Sequence, residues 1–143
     1  MKTLIHIILI LMVITQTHAT FQIPEKVMYK NSSYETLNEP LASYIEKNKI
    51  DITKITQSGC SANWRGYVAT WVVQDNYLYL KKLFTHSCGN EKEVPLVSII
   101  PKSKGMVKAV WYSGELKLFN NGKVHSGEPP TAVLIISSGQ VVD

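Results

Sequence analysis

The sequence predicts a mainly β fold: an antiparallel sheet or partly open barrel of about five to seven strands, with one short helix toward its N-terminal side. Three observations predict it. Residues 67–84 hold two runs rich in Val, Tyr, Trp and Leu on either side of Asp75-Asn76, a pair that tolerates the positive φ of a tight hairpin turn. Further apolar runs of strand length follow at 106–112, 115–119 and 131–136, punctuated by Ser113-Gly114, Asn120-Asn121-Gly122 and Ser138-Gly139. A helical period is carried by the stretch that starts at Pro40.

The chain opens as an export signal does. Met1-Lys2 supplies a short positive start, Leu4 to Val13 is apolar apart from His6, and Thr17-His18-Ala19 places small residues at −3 and −1 of a cleavage site. The apolar run is shorter than the ~20 residues that a membrane-spanning helix needs. A signal peptide at 1–19 and a β-rich domain at 20–143 are therefore expected, with a periplasmic or secreted destination and no stable membrane anchor after cleavage. The net charge of +4 comes from 15 Lys and Arg against 11 Asp and Glu. The lysines are scattered rather than striped, which argues against a nucleic-acid partner. Two cysteines, Cys60 and Cys88, both follow the leader, and in an oxidising compartment an even pair reads first as a disulfide.

From Phe21 to Ser33 no period is sustained, and an extended arm or loop is expected there, with Asn31-Ser32-Ser33 forming a glycosylation sequon of use only in a eukaryotic secretory host. Pro40 suits a first helical turn, and Leu41, Tyr44 and Ile45 repeat at i, i+3 and i+4, so a helix is expected over Pro40–Lys49. Ile50, Ile52 and Ile55 suggest a short strand.

In the central hairpin, regular pairing from the Asp75-Asn76 turn sets Val73 opposite Leu78, Trp71 opposite Leu80 and Tyr67 opposite Phe84 on the core face. Continued without interruption, it would set Cys60 opposite Glu91 and Cys88 opposite Asn63, out of register and on opposite faces. A Cys60–Cys88 bond thus requires the pairing to end early, and Gly59, Ser61, Ser87 and Gly89 are residues that allow a bend there. Pro95 and Pro101 bar the segment 94–101 from a central strand, leaving a helical turn or an edge. A second hairpin is expected over 106–119, with Ser113-Gly114 as its turn and Trp111 facing Leu116, Ala109 facing Leu118.

Chemistry is sparse. His86 and His125, the histidines past the leader, show no metal-ligand spacing, and neither a catalytic triad spacing nor a phosphate-cradling loop is present. No catalytic residue, metal or cofactor is assigned. Trp64-Arg65-Gly66 is the most pointed candidate for contact with a partner, joined by Tyr112, because Trp and Arg combine contact area with directed hydrogen bonds. The competing reading has Trp64 capping the sheet and Arg65 paired with a nearby acid.

The segments Asn63-Trp64-Arg65-Gly66-Tyr67, Thr70-Trp71, Leu78-Tyr79-Leu80 and Trp111-Tyr112-Ser113-Gly114-Glu115-Leu116 resemble a family of small, mostly uncharacterised bacterial proteins. The resemblance implies one compact domain and assigns no activity. Where the family carries a longer Gly/Tyr-rich loop, this chain has only His125 to Pro130. Size, export signal, cysteine pair and lack of a catalytic pattern lead to the expectation of an exported, non-enzymatic protein that binds another protein, as an inhibitor or immunity protein does. A small glycan hydrolase or a carrier of a small ligand are the alternatives from other classes.

Overall fold

The computed structural model describes residues 20–56, 60–85 and 88–142. The expected leader and His86 lie outside the described residues. In chain order the elements are β1 (Glu25–Tyr29), β2 (Ser32–Thr36), α1 (Pro40–Lys47), α2 (Thr53–Thr56), β3 (Tyr67–Gln74), β4 (Tyr77–Thr85), β5 (Lys92–Val94), β6 (Val107–Lys108), β7 (Gly114–Asn120), β8 (Ala132–Ser137) and β9 (Gln140–Val142). Seven of the strands close into a barrel in the order β3-β1-β2-β7-β8-β9-β4, with β4 returning to β3. Closure leaves those strands no open edge. β5 and β6 take the part of β4's outer edge that the short β9 does not reach. The β1–β3 pair is parallel.

The hairpin of β3 and β4 turns where its sequence says. Asp75 and Asn76 have φ of 50° and 58°, and Val73, Val72 and Trp71 face Leu78, Tyr79 and Leu80. Past Trp71 the expected register fails, because a bulge between Thr70 and Trp71 sets Thr70 opposite Lys82, Ala69 opposite Leu83 and Tyr67 opposite Thr85. The bulge moves the inward position on β4 from Phe84 to Leu83, which is fully buried. Two adjacent lysines, Lys81 and Lys82, thereby both reach solvent.

Three further expectations are corrected. The arm expected over 21–33 contains β1 and a two-residue turn at Lys30-Asn31 (φ 48° and 62°) leading into β2. The strand expected near Ile50–Ile55 is the helical turn α2, because Asp51 Oδ1 accepts from the Thr53 backbone N–H at 3.2 Å and from its hydroxyl at 2.6 Å, as a helix cap does. The hairpin expected over 106–119 does not form. Both edges of β7 are occupied, by β2 and β8, so β6 pairs with β4 instead. Residues 109–112 make a turn, with Tyr112 N–H donating to Ala109 O at 2.9 Å.

That turn packs closely against the Ser138-Gly139 turn. Gly139, in the Ser138-Gly139 turn between β8 and β9, accepts from Leu78 N–H and donates to Tyr112 O, each at 2.8 Å. A Cβ at Gly139 would lie 2.8 Å from the Ala109 carbonyl, and its φ is +81°. Only glycine fits both conditions.

Side chains fill the barrel. Val27, Ala69, Trp71, Leu78, Leu80, Leu116 and Leu118 are fully buried, and Ile136 nearly so. Each of the larger ones stabilises the fold by roughly 1.5–3 kcal/mol. α1 starts with Pro40 at its first turn and ends at Lys47, two residues before the expected end. It packs against this core through Leu41 and is fixed from outside by Trp111, whose Nε1 donates to Pro40 O at 2.8 Å while Tyr44 packs on its ring.

Candidate binding site

The site begins with the loop between α2 and β3. Cys60 is bonded to Cys88, with Cα atoms 6.1 Å apart, so the strand pairing does end before the cysteines. Cys60 and Asn63 exchange two main-chain hydrogen bonds, at 3.2 and 2.8 Å, and Asn63 O also accepts from Gly66 N–H at 3.1 Å. Asn63 is fully buried. A covalent bond and a double turn therefore hold the loop on either side of Trp64.

Trp64 and Arg65, adjacent in sequence, part company. Trp64 is 70% exposed, so it does not cap the sheet. Arg65 is buried and enters the barrel end, where it cannot serve as an exposed anchor for a partner. Its Nε donates to Tyr67 O at 2.9 Å, Nη1 to Glu39 Oε1 at 2.7 Å and Nη2 to Ile23 O at 2.8 Å. Its guanidinium also lies over the Tyr67 ring at 5.5 Å. One side chain thus ties together the N-terminal arm, the start of α1 and the start of β3.

A second carboxyl faces the same cation. Glu25, at the start of β1, is fully buried; its Oε2 accepts from Trp71 Nε1 at 2.6 Å, and its Oε1 makes no hydrogen bond and stands 3.8 Å from Arg65 Nε. Burial pushes this carboxyl up to about 8, against the opposing pull of the Arg65 charge and the Trp71 hydrogen bond. Burial and the negative charges of Glu25 and Glu39 push the Tyr67 hydroxyl above the ordinary tyrosine range. Tyr112, the third candidate contact residue, is half-buried; its hydroxyl donates to Glu115 O at 2.7 Å, and burial, then Glu25, raise its pKa.

The N-terminal arm completes the surface. Gln22 Nε2 donates to Ser61 O at 3.0 Å, Gln22 Oε1 accepts from Trp64 N–H at 3.4 Å, and Ile23 N–H donates to Ala62 O at 2.7 Å. Phe21, 69% exposed, stacks on His125 with ring centroids 4.5 Å apart, and His125 Nε2 lies 2.8 Å from Gln22 O. Sequence reasoning singled out the Trp64–Arg65 pair and passed over Phe21, Gln22, Glu25 and Glu39. The acids carried no pattern, being 26 or more residues from the groups they bind.

Elsewhere, an open groove of about 750 Å³ runs between α2 and β5, with Lys54, Thr85, Glu91, Lys92 and Glu93 among its lining. Among the described residues no group of three or more His, Cys, Asp or Glu could hold a metal ion, and no helix is long and apolar enough to cross a membrane. No family model, curated protein or solved structure matches this chain.

Proposed function

We infer that this is an exported, non-enzymatic binding protein that engages another protein in the cell envelope, in the manner of an inhibitor or immunity protein. The observation that carries the reading is Trp64. It is the most exposed of the large apolar side chains among the described residues, at 70%, and Trp is a residue type that anchors protein interfaces. Its backbone is fixed by the Cys60–Cys88 bond on one side and by buried Arg65 on the other, so it is presented without a large ordering cost on binding. The disulfide and the apolar leader sequence are both compatible with an oxidising, exported location. The barrel axis is filled by Trp71 and its apolar neighbours, which weighs against a carrier of a small ligand.

The test is affinity capture from envelope extract with the wild-type protein and Trp64→Ala, followed by titration of the retained partner. Trp64→Ala is expected to weaken binding by more than about 1 kcal/mol while leaving the melting temperature unchanged. Equal affinity would overturn the assignment of Trp64. Release of soluble sugars from purified cell-wall glycan, lost in Glu93→Gln, would favour the hydrolase alternative in the groove beside β5.

A further inference from the structure

Two exposed aromatic rings at this end of the barrel hang on one guanidinium. Trp64 immediately precedes Arg65, and Phe21 lies two residues before Ile23, whose carbonyl accepts from Arg65 Nη2 at 2.8 Å. Gln22, between Phe21 and Ile23, bonds to Ser61 O and to Trp64 N–H. The Arg65 head group is therefore one of the ties, beside the Ile23 N–H to Ala62 O bond and those of Gln22, that set how the arm carrying Phe21 lies against the loop carrying Trp64.

That head group is contested. Glu39, from the start of α1, holds Nη1 at 2.7 Å and is partly open to solvent, while Glu25 faces Nε at 3.8 Å from a position with no solvent access. With a proton on Glu25, Arg65 has one anionic partner, Glu39, and its remaining nitrogens are free to hold Tyr67 O and Ile23 O. Without that proton, a second anion lies in the interior with Arg65 as the cation beside it. Attraction across less than 4 Å in a low-dielectric surrounding is strong, and it adds to the stabilisation that the Trp71 indole and the Ala69 backbone give the anion. The other groups toward Glu25 are Trp71 on β3, which already donates to Oε2, the Ala69 backbone and Tyr67 on the same strand, and Tyr112 from the turn before β7, whose hydroxyl is committed to Glu115 O.

We propose that Arg65 is the positioning residue for the Phe21 arm against the Trp64 loop, and that ionisation of Glu25 draws Arg65 inward and loosens the arm from the loop. The proposal rests on the binding reading of Trp64 for its purpose, but the coupling it describes can be measured with no partner present.

The experiment uses the disulfide-bonded protein labelled with 5-fluorotryptophan and followed by fluorine NMR from pH 6 to 10, with the Trp64 resonance assigned by Trp64→Phe. Trp71 donates to Glu25 and so reports its ionisation directly. Both the Trp71 and Trp64 resonances are expected to titrate with one midpoint, near pH 8. Glu25→Gln is expected to hold Trp64 at its low-pH position throughout. A Trp64 resonance that stays still while Trp71 titrates overturns the coupling. So does one that titrates in Glu25→Gln. Should Glu25→Gln fail to fold, the coincidence or separation of the two wild-type midpoints decides. A coupled Trp64 in a protein whose partner affinity ignores Trp64→Ala would keep the coupling and remove the binding reading.

Discussion

The loop that presents Trp64 is held at its two ends by different physics. At Cys60 the anchor is covalent and half-exposed, reaching Cys88 beyond the end of the β4 strand. At Arg65 the anchor is a buried cation with three separate acceptors and a second carboxyl waiting at 3.8 Å. The disulfide acts mainly by restricting the unfolded chain and is indifferent to pH. The guanidinium acts in the folded state alone, and its strength depends on how many protons its neighbours hold. The first anchor fixes the loop in place; the second can be adjusted.

Removing the buried anchor is expected to have the largest effect. Arg65→Met leaves Glu39, Tyr67 O and Ile23 O without their donor, and loss of one partner of a buried pair costs about 3–5 kcal/mol. Urea unfolding measures it; a loss below about 1 kcal/mol would make the charged cluster incidental to stability. The covalent anchor comes next. For a separation of 28 residues, Cys60→Ser with Cys88→Ser should lower stability by roughly 3–4 kcal/mol, with no change in the slope of stability against pH. A changed slope would mean that the two anchors are not independent.

The smallest effect per step separates the anchors most cleanly. The Glu25 carboxyl ionises near 8 in the folded protein against an ordinary value of 4.5, so between those values the folded state keeps a proton that the unfolded state has lost. Stability should therefore be highest below about pH 4.5 so far as this group is concerned, fall by at most about 1.4 kcal/mol per pH unit as pH rises toward 8, and level off above it. Glu25→Gln should flatten that slope, making the variant the more stable protein at pH 9. An unaltered slope in Glu25→Gln would assign the pH dependence to other groups.

Much of the local structure was legible. Asp75-Asn76 and Ser138-Gly139 turn the chain because their residues accept positive φ, Pro40 opens a helix because its ring fits a first turn, and the cysteine pair bridges. Trp64 and Arg65 stood out as a pair, but their fates did not: the dipeptide looks the same whether its arginine faces solvent or Glu39. Leu83 replaces Phe84 in the core for a similar reason, since the bulge at Thr70 and Trp71 leaves no mark in the alternation of the strand itself.

What the sequence determined by itself was whatever a few neighbouring residues decide: the turns, the start of α1, the β-rich character and the disulfide. Tertiary structure decided which edges meet. Ser113-Gly114 has the composition of a hairpin turn, yet β7 lies between β2 and β8 because closing a barrel consumes both edges of every strand, and β6 was left to β4. The same closure buries Glu25 and Arg65, 40 positions apart in the chain, at one end of the barrel. Backbone torsions and caps are local energies that a short segment carries with it. The pairing of an edge, and the ionisation of a carboxyl that loses its water, depend on what the rest of the chain brings alongside.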